Sequence, residues 1–89
     1  MVKQRVEVIN KLGLHARAAA RLVNLANAYE SEITLRFNDR EIDGKSIMGI
    51  MMLAATQGSW IELGAEGEDA EDAVTAMVRL FANRFGEAE

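Results

Sequence analysis

His15 is the only histidine in the sequence. It stands in the run Asn-Lys-Leu-Gly-Leu-His-Ala-Arg-Ala-Ala-Ala-Arg, from Asn10 to Arg21, where a strand-like segment gives way to a helix. Gly13 permits a sharp bend, and the alanine-rich stretch after His15 is strongly helix-forming. His15 therefore falls at or just before the first helical residue, where backbone N–H groups have no intrahelical acceptor. Free N–H groups and the helix dipole both favour an anion there, so the N–H groups of Ala16, Arg17 and Ala18 form a candidate phosphate cradle. Arg17 adds a guanidinium suited to phosphate oxygens. A nucleophilic imidazole beside an anion hole points to phosphate carried on histidine. A lone histidine near a helix start is also commonly a surface residue or a cap, and that reading stands beside the reactive one.

The elements that must position this junction follow from periodicity. Val2 to Ile9 reads as a strand, with Val2, Val6 and Val8 on one face and Lys3, Arg5 and Glu7 on the other. From Ala16 to about Ala28, Ala19, Leu22, Val23 and Ala26 recur at helical spacing and define a buried stripe. The opposite face carries Arg17, Ala20, Arg21, Asn24 and Asn27, a candidate partner surface whose alanines equally serve as helix-forming filler. Glu32 to Phe37 alternates as a half-buried strand. Asn38-Asp39 is turn chemistry, returning Arg40 to Ile42 as a partner strand. Asp43-Gly44 then turns the chain into a second helix, with Ser46 placed to cap it.

That second helix, Ile47 to Ala55, is apolar nearly all round and should end at Gln57-Gly58. So small a domain cannot easily bury every face of it. Ile47, Met48 and Met51 are expected to form a contact surface, since methionines repack readily against different partners; the plainer reading is that they are core. Trp60 to Ala65 reads as the last strand. The acidic run Glu66 to Asp72 reads as helix-start chemistry. The last helix spans about Ala70 to Phe85, with Ala73, Val74, Met77, Phe81 and Phe85 as its core stripe and Gly86 as its stop. The Gly-Glu-Ala-Glu tail is expected to fray. The order βαββαβα implies an α+β two-layer open-faced sandwich, helices on one face of an antiparallel sheet. Strand order does not follow from the pattern.

Composition bounds what else the chain can do. Its 89 residues suit a single domain, 1–89, and 49% hydrophobic with 27% charged residues is the balance of a folded globule, not a disordered chain. The absence of cysteine excludes disulfides and thiol chemistry, and one histidine excludes a histidine metal cluster, so no metal or cofactor is expected. A net charge of -4 argues against nucleic-acid binding. No apolar run reaches membrane-spanning length and no secretion signal opens the chain, so a cytoplasmic location without membrane insertion is expected.

Gly-Leu-His-Ala-Arg at 13–17 and Asp-Gly-Lys-Ser-Ile-Met-Gly at 43–49 resemble the two signatures of the HPr family. These are the small histidine phosphocarriers of the bacterial phosphoenolpyruvate-dependent phosphotransferase system. The resemblance covers the whole chain, and the wording around His15 is more similar to the nitrogen-related branch, NPr, than to the sugar-transport branch. It departs at Ala18, where the family often has proline. The resemblance implies a four-stranded antiparallel sheet with three helices on one face. It also implies phosphate on Nδ1 of His15 with Arg17 assisting, Enzyme I as donor and IIA-type domains as acceptors. Such a chain is a carrier, not an autonomous enzyme, and a transiently docking monomer is the simplest form. In part of the family the serine matching Ser46 is phosphorylated by an HPr kinase/phosphatase; Ser46 is otherwise a plain helix cap. The alternative function is a non-catalytic regulatory module switched by phosphorylation of Ser46.

Overall fold

The computed structural model describes residues 1–89. Four strands, β1 (Val2–Glu7), β2 (Glu32–Phe37), β3 (Arg40–Asp43) and β4 (Trp60–Glu66), alternate with three helices, α1 (Ala16–Ala26), α2 (Ile47–Met52) and α3 (Ala70–Ala82). All strand pairings are antiparallel, and the order β1-β4-β2-β3 places the last strand between the first two. The register stacks apolar residues on one face: Val6 opposes Ile61, Ile33 opposes Ala65 and Leu35 opposes Leu63. These residues join Leu22, Ile50, Met77 and Phe81 in one buried cluster, while Lys3, Arg5, Glu7 and Arg36 face solvent from the other side of the sheet. The open-faced α+β sandwich expected from the pattern is the observed fold. No helix is long and apolar enough to cross a membrane.

Local chemistry explains the junctions. Asn38 and Asp39 both have positive φ, 50° and 64°, the backbone twist a two-residue hairpin needs to join β2 to β3. Ser46 caps α2 by accepting the Gly49 N–H on its hydroxyl at 3.1 Å. Glu71 and Asp72 lie in the first turn of α3, where the dipole favours them.

Several boundaries differ from the sequence reading. Helix α2 stops at Met52, well before Gln57-Gly58, because Ala54 adopts φ 53° and turns the chain. That turn lets the Ala55 carbonyl accept the Leu14 N–H at 3.0 Å, tying the segment to the loop before α1. Asp69 does not cap α3. Its carboxylate accepts the N–H groups of Glu30 and Ser31, at 2.8 and 3.0 Å, and the Ser31 hydroxyl, clamping the α1–β2 turn. Helix α3 ends at Ala82, and Phe85 reaches the core by another route. Arg84 and Phe85 both have φ 55°, swinging the Phe85 ring edge-on to Phe81 at 4.8 Å.

The tail does not fray. The Arg84–Gly86 turn directs it back across the β1–α1 loop, where the Glu89 carbonyl accepts the Lys11 N–H at 2.5 Å.

Candidate functional site

Gly13 sets the entry to the site. Its φ is +67°, and a Cβ there would lie 2.6 Å from the Ala55 carbonyl oxygen, so both backbone sign and space demand glycine. The chain then enters α1 with His15 as N-cap in an extended conformation. The Arg17 N–H donates to His15 Nδ1 at 3.3 Å. The N–H groups of Ala16 and Ala18 have no acceptor within the chain, and the first helical bond beyond them is Ala19 N–H to the His15 carbonyl. The imidazole, partly exposed, thus presents Nδ1 at a helix terminus whose free donors suit an anion. No carboxylate holds the exposed Arg17 guanidinium.

The other ring nitrogen has a partner that sequence reasoning missed. His15 Nε2 lies 2.5 Å from Glu87 Oε2, and Glu87 Oε1 accepts from Asn10 Nδ2 at 3.0 Å. Asn10 is fully buried and also donates to the Gly13 carbonyl at 2.8 Å, so it braces both the loop and the carboxylate. Burial pushes the Glu87 carboxyl up, but the hydrogen bonds from Asn10 and His15 and the charges of His15 and Arg21 outweigh it and hold Glu87 below the usual carboxylate value. Since Nδ1 accepts from Arg17, the ring proton belongs on Nε2, where it is donated to Glu87. Only the polarity of Asn10 at the end of an apolar alternation hinted at this arrangement. Glu87 is 72 residues from His15, and no local pattern links them.

The expected partner surface divides in two. On α1, Asn24 and Asn27 are exposed and Ala20 is half-buried. Arg21 instead donates Nη1 to the Phe85 carbonyl, drawing its guanidinium toward the tail. There it joins Lys11, Arg17, Glu87 and Glu89 around an open depression of about 520 Å³. On α2, which packs against α1, Ile47, Met48 and Met51 are exposed, Met48 at 65%, while Ile50 is buried. Met52 and Leu12 are exposed apolar residues too.

A histidine braced at a helix start on an open-faced sandwich, beside free amide donors, is an arrangement suited to holding an anionic group at the surface. Comparison with known proteins agrees. The family model described as the phosphorylation site of the HPr component of the phosphotransferase system matches residues 2–83. The phosphocarrier protein HPr of Cupriavidus necator is 49% identical over 89 residues, covering 100% of both chains. The crystal structure of HPr-C-His from Thermoanaerobacter tengcongensis superposes with a TM-score of 0.96 at 43% identity, covering 100% of both chains. A second structure, described as an HPr dimer from that organism, has a TM-score of 0.79 at 44% identity and covers 98% of this chain and 100% of the other. The chain belongs to the HPr family of phosphocarrier proteins of the phosphotransferase system.

Proposed function

We propose that residues 1–89 act as one carrier domain that accepts a phosphoryl group on Nδ1 of His15 and passes it on. The observation that supports this most directly is the placement of Nδ1, with its lone pair toward the Arg17 N–H and beside the unpartnered N–H groups of Ala16 and Ala18. Attack by Nδ1 on the donor's phosphorus forms the P–N bond, and the donor's bond to phosphorus breaks with its electron pair returning to the donor. The Arg17 N–H, released from Nδ1, then turns to a phosphate oxygen together with its neighbours, and the Arg17 guanidinium balances the dianion.

The donor in this reading is Enzyme I, charged by phosphoenolpyruvate, and the acceptor is a IIA-type domain. The Asn-Lys-Leu-Gly-Leu-His-Ala-Arg-Ala-Ala wording favours the nitrogen-related system, with the carrier in the cytoplasm as a monomer that docks transiently. Ile47, Met48 and Met51, with Ala20, Asn24 and Asn27 of the adjoining helix, supply the docking surface; Arg21 contributes from its place beside the tail. Phosphorylation of Ser46 by an HPr kinase/phosphatase would add about two negative charges beside Ile47 and Met48 and weaken docking to an acidic partner.

The test is to incubate the protein with Enzyme I and phosphoenolpyruvate. One added phosphate, acid-labile and alkali-stable and lost in His15→Ala, is the expected result; Arg17→Glu should slow its transfer sharply. No phosphate with either sugar-branch or nitrogen-branch Enzyme I would overturn the reading.

A further inference from the structure

The contact between His15 and Glu87 joins two parts of the chain that share no element. Three further contacts hold the tail in place to make it. The Lys11 N–H donates to the Glu89 carbonyl, Lys11 Nζ lies 3.5 Å from Glu89 Oε2, and Arg21 donates to the Phe85 carbonyl. Asn10, fully buried, then fixes which oxygen faces the ring: Nδ2 occupies Oε1 and leaves Oε2 for Nε2. The side chain of Glu87 is only 12% exposed. A carboxylate so placed is an acceptor from both sides, and it demands a proton on Nε2.

We propose that Glu87 is a positioning residue for phosphoryl transfer, holding His15 as the Nε2–H tautomer so that Nδ1 alone presents a lone pair to the incoming phosphorus. This rests on the carrier reading above. In the transfer step the Nε2 proton stays in place. The Nδ1 lone pair forms the new P–N bond, and the ring becomes an N-phosphorylated imidazolium whose positive charge faces the Glu87 carboxylate. The carboxylate therefore acts twice, selecting the nucleophilic nitrogen before transfer and balancing the ring charge after it. Helix amides act on Nδ1 and the carboxylate on Nε2, so the two influences fall on different atoms. A carboxylate or carbonyl that orients an imidazole through its far nitrogen is a recurrent device at reactive and metal-binding histidines.

Donor and acceptor counts make a sharp distinction between variants. In Glu87→Gln the side chain has one acceptor oxygen, and Asn10 Nδ2 still requires it. The amide NH2 then faces Nε2 and donates to it, which places the ring proton on Nδ1 and blocks the nucleophile. Glu87→Asp keeps two acceptor oxygens. Ring 15N shifts of His15, recorded in mildly alkaline solution, should show mainly the Nε2–H tautomer in the unaltered protein and in Glu87→Asp, and mainly Nδ1–H in Glu87→Gln. Phosphorylation by Enzyme I and phosphoenolpyruvate should slow by roughly 10-fold to 100-fold in Glu87→Gln, the range for loss of a partner that orients a metal-ligating histidine through its far nitrogen. The loss should fall on kcat and leave KM near its original value, because the α2 surface is untouched. Glu87→Asp should recover most of the rate.

An unchanged tautomer in Glu87→Gln overturns the proposal, as does an inverted tautomer with an unchanged rate. Equal loss of kcat in Glu87→Gln and Glu87→Asp with matching falls in thermal stability would show a merely structural tail and likewise overturn it. If the unaltered protein takes no phosphate on His15, the carrier reading fails. The tautomer comparison would then still report whether Glu87 sets the ring proton.

Discussion

Replacing Gly13 by alanine separates two reasons for glycine at the mouth of the site, provided Gly58→Ala is measured beside it. Gly13 has φ +67° and its added Cβ would lie 2.6 Å from the Ala55 carbonyl oxygen and 3.0 Å from Thr56 Cα; Gly58 has φ +93° and nothing within 4 Å. The left-handed conformation costs an alanine about 1–2 kcal/mol at either position. Only at Gly13 must something move, and what moves is the contact in which Leu14 N–H donates to that same Ala55 carbonyl at 3.0 Å. Losing it from a buried setting adds about 1–3 kcal/mol. Gly13→Ala is therefore expected to destabilise by about 2–5 kcal/mol, against about 1–2 kcal/mol for Gly58→Ala. For a domain of this size even the lower bound for Gly13→Ala lowers Tm by at least about 8 °C. Urea unfolding followed by circular dichroism gives both values on one scale. Equal losses in the two variants would refute the argument, since they would leave the close approach of Gly13 to Ala55 with no energetic weight.

Asp69→Asn should lower stability at neutral pH and flatten its acid dependence. The Ser31 hydroxyl, followed by the Glu30 N–H, holds the Asp69 carboxyl below its ordinary value against the effect of burial. A carboxyl depressed on folding stabilises above its unfolded pKa, and that contribution is lost as pH falls through the folded value. Denaturant midpoints measured from neutral to acidic pH should therefore converge for the two proteins at low pH, and a constant gap would contradict the clamp. Ser46→Ala should cost about 1 kcal/mol through loss of the bond to Gly49 N–H, read as a shift in urea midpoint. Met48→Asp should leave thermal stability nearly unchanged, because Met48 is 65% exposed, while raising the KM for Enzyme I. A collapse of stability would make Met48 core instead.

The parts of the fold legible in the sequence are those whose cause is local. Alternation placed β2 on its observed residues, Glu32–Phe37. Helical spacing picked Ala19, Leu22 and Ala26 of α1 as buried, although Ala18 is buried too and Val23 only partly. Ser46 could be recognised as a cap because its acceptor and the Gly49 N–H are three residues apart. The misplaced boundaries share a different origin. Helix α2 stops early because Ala54 takes φ 53°, and α3 stops early because Arg84 and Phe85 take φ 55°. None of these is a glycine, so composition gave no warning. Each turn is favoured by the contact it makes possible: Ala55 meets Leu14, and Phe85 meets Phe81. Contacts between distant parts of the chain overrode local preference.

The candidate site divides along the same line. His15, Arg17 and the amides of Ala16 and Ala18 lie within four consecutive residues, so the sequence discloses a helix start whose donors suit an anion. What it does not disclose is which ring nitrogen faces that helix start. The backbone that makes His15 an N-cap orients Nδ1 toward Arg17 N–H only weakly, at 3.3 Å, near the long end of hydrogen-bond distances. The stronger restraint acts through Nε2, from a carboxylate delivered by the C-terminal turn and held in register by an asparagine just beyond β1. In the proposed carrier role the histidine needs an accessible lone pair, and exposure alone would leave the ring free to rotate and to exchange tautomers. Bracing the ring from behind would reconcile these demands: Nδ1 keeps only the long contact with the Arg17 N–H, which a phosphoryl group can displace, while Nε2 is held by Glu87. The brace in turn depends on the tail's own ties, the Lys11 N–H and ammonium to Glu89 and the Arg21 guanidinium to the Phe85 carbonyl, which flank Glu87 on both sides.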